Sequence, residues 1–492
     1  MSWSNIAWRG NKLALLGLIE SGVPFLRMLA LSRGLSLLEL GYASALTSTD
    51  GLFGQITDFA LHRFVLTAPR EDFVEALSAA HALSVLRGLV VGGLAVCASP
   101  LIAAVFDLRA DWGTFAALGL VAFLRSLEHL EPKVAERDYE YGVQLKASLA
   151  ANGAGLAAMG FCLLVTRDHK AVLAFFVAQS IGQAIASRFV ATTRYRLKFR
   201  SPYFVKAFRF GFPLMLNGMG LAAVSQGDRF LVGALLGLPS LGLYSVATLV
   251  TYVPTAILVR VAGTFTLSAL FNAARERNEI YVARIRLVAF FAPLAAAAFA
   301  LGIVTLMNIV TPLVFGRQFI LSIFSVIMLS ASTFIRIARI EPFTSILLQE
   351  GRTKRLAVGN LSAVSGLGFE WVLIVLYGNM EAALAGRVLG DLVSAIVVFW
   401  LTRQVARAAW LDYAKSASFA ASVMAFSAAI MAIANPASGL GTSAIVLSAL
   451  LMLITAWTAK FSPSLLRAAA FDRLAPTSSP IPGGPTVRPL KD

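Results

Sequence analysis

Long apolar runs separated by short polar breaks fill this chain almost from end to end. Windows near the roughly 20 residues needed to cross hydrocarbon as a helix fall at about 13–32, 40–64, 80–104, 113–131, 145–166, 171–190, 211–236, 241–268, 287–314, 319–347, 356–378, 381–402, 417–434 and 440–459. The pattern predicts an all-α polytopic membrane protein with about fourteen transmembrane helices. The breaks on one side are only a few residues long, too short to fold as a separate domain.

The pattern is also duplicated. Phe123-Leu124-Arg125, followed by Glu131-Pro132, returns as Phe334-Ile335-Arg336, followed by Glu341-Pro342. Leu40-Gly41-Tyr42-Ala43-Ser44-Ala45 returns as Leu241-Gly242-Leu243-Tyr244-Ser245-Val246-Ala247, and Gly142 with Asn152 returns as Gly351 with Asn360. An even number of spans, six, separates the copies, so both enter the membrane from the same side. Such parallel repeats are related by an axis along the membrane normal. The expected organisation is an N-terminal lobe (1–192), an amphipathic linker (193–210), a C-terminal lobe (211–408), two additional helices (409–460) and a partly disordered tail (461–492).

Charge fixes the expected orientation. Of the 42 Lys and Arg, five (Arg33, Arg109, Arg167, Lys170, Arg317) fall in breaks on one side and eight within spans. The remaining 29 fall on the other side, which the positive-inside rule makes cytoplasmic, with both termini there. Topology and anionic lipid thus account for the net charge of +16, without nucleic acid. The expected location is therefore within a membrane. The linker carries Arg194, Arg196, Lys198, Arg200, Lys206 and Arg209 among Tyr195, Phe199, Tyr203, Phe204 and Phe208. It reads as a segment lying on an anionic leaflet. The break 272–286 reads as a solvated helix.

Composition narrows the chemistry. Charged residues are 14% and hydrophobic residues 58%, with a mean hydropathy of +0.76. Cys97 and Cys162 lie in apolar runs and read as core residues; His62, His81, His129 and His169 lack metal-ligand spacing. No metal site, cofactor or P-loop is expected. A glycan polymerase or ligase would show a large outer loop with catalytic residues, and the chain has none, so an enzyme is not expected.

Arginines inside the spans are the informative residues, since charge at the bilayer centre is costly and marks function by default. They are Arg27, Arg87, Arg125, Arg229, Arg260, Arg336, Arg339 and Arg387. Local spacing pairs Arg387 with Asp391 (i, i+4) and sets Glu128 and His129 one turn from Arg125. Arg229 reads as snorkelling to the interface. Glu131 and Glu341, each before a proline, read as helix-end residues. Arg336 and Arg339 lie one turn apart with no carboxylate until Glu341, which leaves a phosphate clamp and a helix-packing pair both open. Asp58, Asp228 and Glu20 are candidates for ion coupling or for salt bridges to these arginines.

Gly211-Phe212-Pro213, Asp228-Arg229-Phe230-Leu231-Val232-Gly233 and the Leu241–Ala247 string, with Leu40-Gly41-Tyr42 and Phe53-Gly54-Gln55 in the first half, resemble Wzx-type polysaccharide (O-antigen) flippases. These belong to the multidrug/oligosaccharidyl-lipid/polysaccharide (MOP) superfamily, with the lipid II flippases and MATE exporters. The resemblance covers about residues 10–460. It implies a two-lobed transporter that turns undecaprenyl-pyrophosphate-linked oligosaccharide across the membrane by alternating access. Membrane lipids and polysaccharide polymerase or export proteins would be its partners. The resemblance also places the first, second, seventh and eighth spans along the cleft, which makes Arg27 and Arg260 substrate-binding candidates, with Arg336, Arg339, Arg125 and Arg87 assisting. A cation-coupled multidrug exporter of the same superfamily is the alternative.

Overall fold

The computed structural model describes residues 3–138, 140–276, 278–340, 343–349, 352–403, 409–433 and most of 449–460. The described residues form helices and no strand: α1 (Trp3–Gly34), α2 (Leu37–Ile56), α3 (Leu61–Thr67), α4 (Phe73–Val105), α5 (Trp112–Ser126), α6 (Glu131–Val134), α7 (Tyr141–Val165), α8 (Lys170–Val190), α9 (Pro202–Leu236), α10 (Leu238–Glu276), α11 (Asn278–Phe315), α12 (Ile323–Ile340), α13 (Phe343–Gln349), α14 (Thr353–Leu361), α15 (Ser365–Tyr377), α16 (Met380–Thr402) and α17 (Trp410–Ile433). Among the described residues, eight helices are long and apolar enough to cross a membrane, and α9 makes a ninth if its two parts, which meet at 41° between Met215 and Gly218, count as one span. The window at 440–459 lies largely, and the tail 461–492 wholly, outside the described residues.

Several predicted boundaries shift for local reasons. The window at 40–64 breaks, because α2 ends at Ile56 and Ala60 takes a left-handed conformation with its N–H bonded to the Asp58 carboxylate. Asp58 therefore lies in a turn with its side chain mostly exposed, not inside the second span. The window at 113–131 stops at Ser126, and the short α6 then starts at Glu131 with Pro132 in its first turn. The linker is helical from Pro202, where Ser201 caps the helix by accepting from the Tyr203 N–H, and it continues into the seventh span. The break at 272–286 is taken up almost entirely by the ends of α10 and α11.

Neighbour relations repeat as the sequence does. In the first lobe α4 packs on α5, α5 and α7 on α8, and α1 on α7; in the second α11 packs on α12, α12 and α15 on α16, and α9 on α15. Arg125 and Arg336 thus sit on corresponding helices, α5 and α12. Helix α17 lies outside this scheme, against α11 and α12.

The lobes meet at both ends of the bundle. At the end away from the 191–201 connector (the distal end), a Cβ on Gly41 would stand 1.9 Å from the Leu238 carbonyl oxygen, and one on Gly242 would stand 2.7 Å from that of Leu37. The duplicated Leu-Gly string therefore supplies a backbone-to-backbone contact from each lobe. Arg33 reinforces it by donating to the carbonyls of Leu313 and Val314. At the connector end α2 lies on α9, where Cβ atoms on Gly218 and Gly211 would come 2.4 Å from Gln55 O and 2.8 Å from Phe59 O. Gly41→Ala is expected to hold the distal ends apart, because the obstacle is backbone and cannot rotate away. Labelling of Leu238→Cys by an impermeant maleimide should rise severalfold in that background with helicity unchanged. Equal labelling would show that the contact tolerates a methyl group.

Candidate functional site

The interior arginines can be placed by depth. Counting 1.5 Å per helical residue from the distal helix ends, Arg27, Arg229 and Arg387 lie about 10 Å in, and Asp50, Arg125 and Arg336 about 20 Å. By the same count Arg339 and Arg87 lie about 25 Å in, and Arg260 about 33 Å. Arg27 and Arg260 are thus on separate levels, and the side chain of Arg260 is outside the described ones.

Most of these arginines have partners that spacing did not reveal. Arg125 grips Asp50 with a two-pronged contact, Nη1 to Oδ1 and Nη2 to Oδ2 both at 3.1 Å, and does not turn to Glu128, which bonds Lys133 and Gln183 instead. Arg387 binds Asp228 across 159 positions at 2.7 Å and also donates to the Tyr244 hydroxyl. Its expected partner, Asp391, accepts from Ser332 at 2.5 Å and faces Arg336 at 3.4 Å. An i, i+4 spacing puts two side chains on one face, but here that face meets two other helices, and each side chain reaches across to one. Arg336 therefore has a carboxylate, contrary to the expectation from sequence. Arg339 donates to Ser394 Oγ and the Gly359 carbonyl. Arg87 stands 3.8 Å from Asp58 and donates to the Thr57 carbonyl. Asp228 is a salt-bridge residue in this state, and Glu20 is exposed on α1. Glu370 on α15 is buried beside the Asp228–Arg387 pair.

Arg27 differs from these. Among the described residues it meets no carboxylate at ion-pair distance; its guanidinium lies over the rings of Phe175 and Phe176, 5.1 and 4.9 Å from their centroids. The charged groups close enough to act on it are Asp50, Arg125 and Arg229. Arg229 in turn donates to Ser225 O and Gln226 Oε1. Among the described residues these three guanidinium groups have one carboxylate at ion-pair distance, Asp50 on Arg125, so positive charge exceeds negative at this level. Cation–π contact contributes about 0.5–2 kcal/mol, against about 2.5–3.5 kcal/mol for inserting one Arg at mid-bilayer. The rings alone do not offset the cost.

Arg229 belongs in this group and sequence reasoning missed it. The signal was present: Arg27 is seven residues from the end of α1, and Arg229 is seven from the end of α9, the corresponding helix. Asp50 gains its significance only from the fold, which brings it onto Arg125. Beside it, Asp50, Thr57, Arg87 and Arg125 border a recess of about 30 Å³.

The connector is fastened to the first lobe. Glu131 accepts from the backbone and hydroxyls of Thr192 and Thr193, Ser201 donates to Glu75, Tyr203 donates to Asp72, and the Lys198 N–H bonds Ser78 O. Partial burial pushes the Glu131 carboxyl up, but the Thr192 and Thr193 donors outweigh it and hold the group below the usual range. Its expected helix-end role is met, since it opens α6; Glu341 lies outside the described residues.

A family model described as "Polysaccharide biosynthesis protein" matches residues 30–324. No curated protein matches the chain by sequence. Among solved structures, "Lipid II flippase MurJ, inward closed conformation" aligns with 92% of this chain and 100% of its own at 13% identity and a TM-score of 0.65. An "Inward-facing conformation of a multidrug resistance MATE family transporter of the MOP superfamily" aligns with 77% of this chain and 94% of its own, at 16% identity and a TM-score of 0.55. At these identities the likeness establishes a shared fold.

Proposed function

Since the chain belongs to the polysaccharide biosynthesis protein family, we propose that it is a flippase that carries a polyprenyl-pyrophosphate-linked oligosaccharide from the cytoplasmic to the periplasmic leaflet of a bacterial inner membrane. The observation that carries this reading is the arginine group at Arg27, Arg125 and Arg229, with one carboxylate among three cations. A pyrophosphate supplies the missing negative charge, and guanidinium is suited to it because it stays protonated and makes forked contacts with phosphate oxygens. The polyprenyl chain stays in lipid while the glycan occupies the cleft.

In this reading Arg260, on the connector side, meets the headgroup first. Arg87, Arg339 and Arg336 line the intermediate depth, and Arg27 with Arg229 holds the pyrophosphate near the far side. The basic bias of the connector side supports placing that side, and both termini, in the cytoplasm. Polymerase or export proteins of the same pathway are the expected partners. An exporter of cationic drugs fits this site poorly, because the uncompensated charge repels its cargo. The test is reconstitution in liposomes with a fluorescent lipid-linked oligosaccharide, read by quenching from one side. Protein-dependent loss of protection is expected; a rate equal to empty liposomes, with well-folded protein, would rule the function out.

A further inference from the structure

We infer that Asp50 is a resident stand-in for the substrate's phosphate: it occupies the fork of Arg125 and is displaced when the pyrophosphate arrives. This rests on the flippase reading above and adds to it a residue that sets affinity and release.

The Asp50–Arg125 contact has the geometry of an anion seat. Both carboxylate oxygens meet both terminal nitrogens at 3.1 Å, the parallel arrangement that guanidinium also offers to phosphate. The pair lies at mid-depth between α2 and α5, on the recess that also reaches Arg87. It is accessible from that recess, since 34% of the Arg125 side chain is exposed. Arg27 interacts electrostatically with both members of the pair and with Arg229 on α9, and Arg87 and Glu128 also act on Arg125.

An empty site of three arginines with no anion would be under strong internal repulsion, since a low-dielectric interior screens like charges weakly. Asp50 relieves part of that repulsion. A carboxylate carries one charge and a pyrophosphate diester about two, so the substrate competes for Arg125 on favourable terms while Arg27 and Arg229 remain available to it. Asp50 is then left without its partner beside a second anion. Its return to Arg125 favours release and resets the site. A transporter needs such a limit, because a seat that only attracted phosphate would hold it.

The inference predicts opposite effects on binding and turnover. Asp50→Asn keeps the shape and a hydrogen bond to Arg125 but removes the competing charge. In purified full-length protein in nanodiscs, farnesyl pyrophosphate should bind the variant about tenfold more tightly than wild type, equivalent to about 1.4 kcal/mol. Flipping in liposomes should slow. Damage to the fold would weaken binding, so the sign separates the two explanations. In an Arg125→Gln background Asp50→Asn should give no tightening, and Asp50→Ser serves as the second charge-removing variant if Asn folds poorly. Wild type that binds no pyrophosphate would overturn the flippase reading and this inference together. Wild type that binds, with equal or weaker binding by the charge-removing variants, would overturn this inference alone.

Discussion

Arg27→Ala is expected to abolish flipping while leaving a folded protein. The residue has no carboxylate partner among the described residues, so its removal strands no buried anion. In the proposed function, what it loses is contact with the substrate. Truncating one partner of a desolvated, hydrogen-bonded charge pair costs about 2–5 kcal/mol, or roughly 30-fold to several-thousand-fold at about 1.4 kcal/mol per decade. Arg27→Lys keeps the charge and loses the fork, so it should retain partial activity. Transport in liposomes, with melting temperature measured alongside, checks both. An alanine variant that flips at the wild-type rate would make Arg27 a packing residue held by Phe175 and Phe176.

The largest stability effect is expected at Asp228. Its carboxylate binds Arg387 at 2.7 Å and accepts from Tyr244 at 2.8 Å, and both ion-pair partners are largely buried. Asp228→Ala takes the ion-pair partner from a buried guanidinium, and breaking a buried pair costs about 3–5 kcal/mol. Removing both charges by Asp228→Leu with Arg387→Met should recover much of that loss, because the penalty comes from the stranded charge more than from the missing bond. Thermal unfolding in detergent, followed by intrinsic fluorescence, should show a large fall for the single variant and a smaller one for the double. Equal falls would mean that the pair contributes shape more than charge balance.

Much of the fold was legible because membrane helices declare themselves by length and apolarity. The duplicated Leu-Gly string also proved to be a place where α2 and α10 touch backbone to backbone. Boundaries failed where a single turn intervened, as at Asp58 and before Pro132. The site was legible in residue type but not in pairing. Asp50 and Arg125 are 75 positions apart, and Asp228 and Arg387 are 159 apart. Local spacing instead offered Glu128 and Asp391, which tertiary contacts take elsewhere. Arg229 was recoverable from the repeat offset alone and was obscured by its acidic neighbour.

The fastening of the connector has a mechanical consequence. With Thr192, Thr193, Lys198, Ser201 and Tyr203 all bonded to the first lobe, the start of α9 travels with that lobe although the duplicated sequence assigns it to the second. In the proposed function, rocking of the lobes would then be taken up at the 41° bend between Met215 and Gly218. If the lobes rock, the moving parts divide inside a helix, with the pivot lying within α9. An evolutionary exchange of whole halves at the duplication boundary would therefore separate each α9 from the surface that steadies it. Chimeras joined past residue 218 would carry the pivot and its anchor together.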